Sequence, residues 1–114
     1  MRIGVDLGGT KIEFIALADD GKTLARTRVP APVGDYDATI EAVRSGIEKI
    51  EIQAAGSGSV GIGIPGTLSP ATGLVKNANS TCLIGKPLDR DLEAILERPI
   101  RLTNDANCFI RMFM

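Results

Sequence analysis

Ile3, Val5 and Leu7 alternate with Gly4 and Asp6, a period of two that predicts a short strand running into the turn Gly8-Gly9-Thr10. The same period resumes at Ile12, Phe14 and Ala16 and predicts a second strand. Asp20-Gly21 supplies the next turn, and Thr23 to Val29 predict a third, more polar strand stopped by Pro30 and Pro32. The first thirty residues therefore make a three-stranded meander. From Asp37 the apolar step changes to three and four: Ile40, Val43, Ile47, Ile50 and Ala54 mark one face of a helix. Asp35 or Asp37 is available as its cap, and Gly56 and Gly58 are expected to stop it.

Val60, Ile62 and Ile64 alternate against glycine and predict a strand from Ser59 to Ile64, ended by Pro65-Gly66. Thr67 to Lys86, rich in Gly, Pro, Asn, Ser and Thr, reads as a long surface loop with a short strand around Leu74-Val75. Leu88, Leu92, Ile95 and Leu96 predict a second helix ended by Pro99, followed by a short strand at Ile100 to Leu102. Asn104-Asp105 then read as the cap of a third helix, abandoned almost at once at Met114. Strands alternating with helices after a meander predict an α/β domain, a mixed sheet with helices covering it, and place function at the strand ends. No internal repeat, low-complexity tract or interdomain linker interrupts the pattern.

Composition narrows the function classes. Thirteen Lys and Arg against fourteen Asp and Glu give a net charge of −1, which offers no general attraction to nucleic acid or anionic lipid. Histidine is absent, and Cys82 and Cys108 lie far apart with no CxxC pair, so the chain lacks a zinc ligand set and nothing in the spacing indicates a disulfide. Asp6 interrupts the place where a signal peptide needs its apolar stretch, and the longest purely apolar run, Phe14 to Ala18, is far short of a membrane span. A cytoplasmic protein without a membrane partner is expected.

Two phosphate motifs match by spelling and fail on context. Gly61-Ile62-Gly63-Ile64-Pro65-Gly66 spells GxGxxG, but that loop must open a helix to aim backbone N–H groups at a pyrophosphate, and Pro65 with Ser69-Pro70 prevents one. Gly21-Lys22-Thr23 resembles the end of a P-loop, yet the glycine required five residues earlier is Ala16. Asn79-Ser80-Thr81 is a formal glycosylation sequon that means nothing without secretion.

Asp6-Leu7-Gly8-Gly9-Thr10-Lys11 says more. A Gly-Gly pair alone is a β-turn; with a carboxylate two positions before it and a hydroxyl and a cation directly after, it reads as a site where backbone amides approach a phosphate. Asp6 is the candidate ligand for Mg²⁺, directly or through water, because hard cations take oxygen donors and Mg²⁺ keeps much of its water shell. Asn104-Asp105-Ala106-Asn107, between a strand and a helix, suits a polyol: the amide donates and accepts while the carboxylate accepts a hydroxyl proton. Helix capping by Asn104 or Asp105 is compatible with that role. Asn77 and Asn79 add amides in the long loop, where asparagines also serve simply as turn formers.

Asp6 to Lys11, Gly61 to Gly66, Asn77-Ala78-Asn79 and Asn104 to Asn107, in this order and spacing, resemble the N-terminal half of the ROK family of sugar kinases, from Met1 to about Cys108. The stretch from Val75 to Thr81 is most similar to the family's bacterial fructokinases with manno(fructo)kinase activity, with N-acetylglucosamine kinases and glucokinases as near neighbours. The resemblance implies an actin-like ATPase fold of ribonuclease H-like type, and transfer of a phosphoryl group from MgATP to a hexose, fructose first. Asp105 would match the catalytic base. Gly66, Asn79 and Asn104 would join it around the sugar, and Asp6 with Leu7, Gly8, Gly9, Thr10 and Lys11 would match the first phosphate loop.

Family members continue into a second domain that carries the adenosine pocket and a zinc-bearing segment. That domain is absent here, so residues 1–108 are expected to be one lobe, zinc is expected only in the part not present, and the isolated piece is expected to be weak or inactive. The apolar end, Phe109 to Met114, departs from the family pattern and offers a surface for a homodimer. A non-enzymatic sugar-binding or regulatory module is the competing class, since the family includes repressors. The phosphate motif within six residues of Met1 and the near-neutral charge disfavour a repressor. The asparagine-rich loop disfavours a cytoskeletal or chaperone ATPase.

Overall fold

The computed structural model describes residues 1–8, 10–32, 34–63, 67–68, 75–76 and 87–103. The elements run β1 (Arg2–Leu7), β2 (Lys11–Leu17), β3 (Thr23–Pro30), α1 (Tyr36–Ala54), β4 (Ser59–Gly63), β5 (Thr67–Leu68), β6 (Val75–Lys76), α2 (Leu88–Leu96) and β7 (Ile100–Thr103). Five strands form one sheet in the order β3-β2-β1-β4-β7. The meander pairs antiparallel, whereas β1 pairs with β4, and β4 with β7, in parallel. The sheet is therefore mixed, as the sequence pattern predicts.

Because β3 and β4 run the same way, as do β4 and β7, α1 and α2 are both crossovers. The chain crosses the sheet in one direction both times, and right-handed connections then put both helices on the same face. In agreement, α1 packs on β2, β3 and α2, and α2 packs on β7. The core lies between: Ile3, Val5, Ile12, Phe14 and Ala16 from the meander, Val43, Ile47 and Ile50 from α1, and Ile62, Leu88 and Leu92 are all fully buried. The period of two in β1 and β2 delivers this directly, since the register opposes Ile3 to Ala16, Val5 to Phe14 and Leu7 to Ile12.

Asp35, rather than Asp37, caps α1: its side chain accepts from the Ala38 N–H at 3.0 Å. The far end differs from the sequence expectation. Ala55, not a glycine, takes the left-handed position at φ 58°, and the N–H groups of Ala55 and Gly56 return to the carbonyls of Ile52 and Glu51. Gly56 thus lies one position past the residue whose backbone needed its freedom. Gly46 is the helix's contact point: a Cβ there would sit 2.0 Å from the Phe14 ring, so the absence of a side chain lets α1 settle on the aromatic.

The segment from Thr67 to Lys86, read as a loop with a strand at Leu74-Val75, contains a two-stranded antiparallel ribbon. Thr67 pairs with Lys76 and Leu68 with Val75. Strands of two residues carry no period, and only one side of the pair was legible. The expected third helix from Asn104 and the end from Phe109 to Met114 lie outside the described residues. Among the described residues no helix is long and apolar enough to cross a membrane.

Candidate functional site

The carboxyl ends of the parallel strands come together at one edge of the sheet. Asp6 of β1 is opposite Gly63 of β4, and Gly63 is opposite Thr103 of β7. In open α/β sheets this edge is where ligands sit. The chain leaves it at three places, through Leu7 into the Gly8 turn, through Gly63 toward Gly66, and through Thr103 into Asn104-Asp105.

The first exit is described nearly in full. Gly8 N–H donates to the Lys11 carbonyl at 3.0 Å, which closes the turn between β1 and β2. A Cβ on Gly8 would lie 2.8 Å from that carbonyl oxygen, so the close approach requires glycine. The Thr10 carbonyl accepts from Ala31 N–H at 2.9 Å, which ties the turn to the residue following β3. Thr10 and Lys11 are exposed, whereas the Leu7 side chain is buried in the core, so any ligand contact by Leu7 runs through its backbone.

Asp6 is half-buried on the sheet face turned away from the helices. Its carboxyl is raised above the ordinary value, first by burial and second by the negative charge of Glu13, its partner across β1 and β2. Glu13 is shifted the other way, chiefly by Arg28, whose Nη2 and Nε donate to Oε2 at 2.7 and 3.2 Å, and also by Arg26, which donates to Oε1. Sequence reasoning missed Glu13, Arg26, Arg28 and the Ala31 N–H. The first three were visible as charges at alternate positions of adjacent strands, but nothing in the sequence alone sets the register that joins them.

Among the described residues no three carboxylate, histidine or cysteine groups gather around one point, and Asp6 is the carboxylate of the row Asp6, Gly63 and Thr103. One carboxylate fits Mg²⁺, which commonly keeps several waters and binds through one or two carboxylates plus substrate phosphates. Gly9, Gly66, Asn79, Asn104 and Asp105 lie outside the described residues. A separate cleft of about 530 Å³ is lined by Arg2, Ser59, Gly61, Pro99 and Arg101 among others. It lies where β1, β4 and β7 begin, at the opposite end of the strands from Asp6, and has no carboxylate among those residues.

The sheet order, with a closed glycine turn between the first two strands and both crossover helices on one face, is that of an actin-like ATPase fold. The chain belongs to the ROK family, whose model matches residues 2–110. An N-acetyl-D-glucosamine kinase of Vibrio cholerae is 41% identical over 109 residues, which is 96% of this chain and 36% of that protein. Among solved structures, the ROK hexokinase of Thermus thermophilus superposes with a TM-score of 0.79 at 34% identity, over 93% of this chain and 35% of that one. A ROK family glucokinase of Streptomyces griseus in complex with glucose and AMPPNP gives a TM-score of 0.78 at 28% identity, over 93% and 33% of the two chains. The chain thus spans about a third of the length of the relatives it matches.

Proposed function

We propose that this chain is the N-terminal lobe of an ATP-dependent sugar kinase, residues 1–108, and that it contributes one wall of a site for MgATP and a hexose or N-acetylhexosamine. The observation that carries the reading is the row Asp6, Gly63, Thr103. It brings the closed Gly8–Lys11 turn to the same sheet edge from which the chain sets out toward Gly66 and Asn104-Asp105.

In this reading the turn offers backbone N–H groups and the Lys11 ammonium to phosphate oxygens, and Asp6 orients the hydrated cation that neutralises charge on the transferring group. Asp105 accepts the proton of the attacking hydroxyl, while Asn104, Asn79 and Gly66 orient the sugar. A carboxylate is a weak base, so placement carries most of the rate, and placement needs a second wall.

For the acceptor, the relatives reported above favour N-acetylglucosamine or glucose, whereas the stretch from Val75 to Thr81 favours fructose. N-acetylglucosamine is the first to test, because it belongs to the relative with 41% identity. ADP release should be followed with N-acetylglucosamine, glucose, mannose and fructose, on this chain and on a full-length protein that carries it. Turnover with one of them in the full-length protein, abolished by Asp105→Asn, is expected. Full activity after Asp105→Asn removes the assigned base, and sugar binding without ADP release favours the non-enzymatic module.

A further inference from the structure

Glu13 stands out because its surroundings are built. Its side chain is 14% exposed, while the arginines that hold it, Arg26 and Arg28, are 62% and 57% exposed. On the sheet face away from the helices it has Asp6 directly opposite on β1 and Arg28 directly opposite on β3. Arg26 reaches it diagonally from the position opposite Ile15. Two residues back along β2 is Lys11, which closes the phosphate turn.

A strand rises about 3.3 Å per residue and neighbouring strands lie about 4.8 Å apart, so the trio stands within roughly one Debye length of the turn at physiological salt. Its charges are therefore felt there. Glu13 alone would double the negative charge next to Asp6 and repel a polyphosphate. Two arginines on one carboxylate reverse that, giving a trio with a net charge of +1 that offsets Asp6.

We propose that Arg26, Glu13 and Arg28 form a positioning cluster that sets polyphosphate affinity at the adjacent turn: the arginines hold the Glu13 carboxylate toward β3, and the trio's excess positive charge balances Asp6. The inference rests on the kinase reading above. None of the three residues is assigned a contact with substrate. They act through the field and through where Glu13 is held.

A cluster that merely stabilised the sheet would weaken every function in the same direction when broken, whereas a charge balance predicts opposite signs. Binding of a fluorescent ATP analogue, measured directly on the full-length protein, should become about three- to fivefold tighter in Glu13→Gln, which removes one charge, and weaker by about the square of that factor, roughly ten- to twenty-five-fold, in the double change Arg26→Met with Arg28→Met, which removes two. Both shifts should fade near 1 M salt, where the Debye length is about 3 Å. Combining all three changes leaves the trio at zero charge against +1 in the wild type, so affinity should recover about halfway on a logarithmic scale, to about three- to fivefold weaker than wild type, and sugar affinity should stay constant throughout.

If Glu13→Gln proves too unstable to measure, Arg28→Lys, which keeps the charge but loses the two-point grip, isolates positioning and should weaken binding less than the double change. Shifts of the same sign in all variants, or none with wild-type binding intact, overturn the cluster's role. Wild-type protein that binds no nucleotide overturns the kinase reading, and the inference with it.

Discussion

β1 and β2 present two faces made by alternate residues of the same twelve or so positions, and the two are built by different physics. Toward the helices, Ile3, Val5, Leu7, Ile12, Phe14 and Ala16 are at most 1% exposed and belong to one apolar cluster with Val43, Ile47 and Ile50 of α1. Away from the helices, Asp6, Lys11 and Glu13 carry charge, and Glu13 is held by directional contacts from β3. Burial on the first face is roughly additive in area and indifferent to partner identity. The second face depends on which charge is opposite which, so it is set by register. A one-residue slip would exchange the two faces entirely. The packed face therefore guards the charged one, because the core's demand for burial fixes the register that brings Asp6 and Glu13 together.

The comparison breaks most sharply at the contact between Phe14 and Gly46. Phe14→Ala should cost about 3–5 kcal/mol, a large part of the stability of a small domain, read as a lower urea midpoint. Gly46→Val should cost a comparable amount for the opposite reason, since its Cβ would start 2.0 Å from the ring. If Gly46→Val were tolerated, α1 would have to stand off the sheet, and the core face would be less tightly specified than Phe14 implies.

Gly8→Ala tests the junction between the faces. The added Cβ meets the Lys11 carbonyl at 2.8 Å, which disturbs the turn while leaving the core untouched. We expect a stability loss of about 1 kcal/mol and a tenfold or greater loss of nucleotide affinity in a full-length protein. A stability loss as large as that of Phe14→Ala would mean the turn belongs to the frame rather than to the site.

Acid titration separates the two carboxylates of the charged face by sign. Glu13 is held below its ordinary 4.5 by the arginines, so its pairing stabilises the fold in full above that value and is lost as pH falls through the lower folded value. Asp6 is raised above 3.8 by burial and by Glu13. Its charged form costs stability at neutral pH, and that cost is relieved as pH falls through its folded value. Glu13→Gln should therefore be less stable than wild type at pH 7 by about 1 kcal/mol, a figure kept small because the arginines are mostly exposed. The gap should close as pH falls through the lowered value of Glu13, and a gap independent of pH would mean Glu13 contributes by packing alone.

The same division explains what the sequence revealed. Period two in β1, β2 and β4 and period 3.6 in α1 are signatures of burial, and the sheet, both helices and most of the core follow from them. The Gly8–Lys11 turn was legible because its chemistry is local: glycines, a hydroxyl and a cation within four residues. Glu13, Arg26 and Arg28 join three strands, and pairing across strands is written in no single segment. Gly46 was passed over because in sequence it reads as a weak helix residue, and only the packing of Phe14 gives it a reason. The ribbon of Thr67–Leu68 with Val75–Lys76 is too short to show a period at all.

The smallest expected effect comes from the residue where the sequence misled. Ala55 holds a left-handed conformation at φ 58°, which costs a residue with a Cβ about 1–2 kcal/mol relative to glycine. Ala55→Gly relieves that strain but gives the unfolded chain more freedom, a loss of about 0.4–1 kcal/mol, so the net gain should be near 0.5 kcal/mol. One residue earlier, Ala54 is helical, and Ala54→Gly has only the loss, up to about 1 kcal/mol. The same substitution at adjacent positions should thus move the urea midpoint in opposite directions. Both sites are at the end of α1, next to Gly56, which lies beside Met1 at the opposite end of β1 from Asp6, so neither should shift nucleotide affinity. A change in affinity from either would show that the charged face responds to the global stability of the domain, and the separation drawn between the two faces would fail.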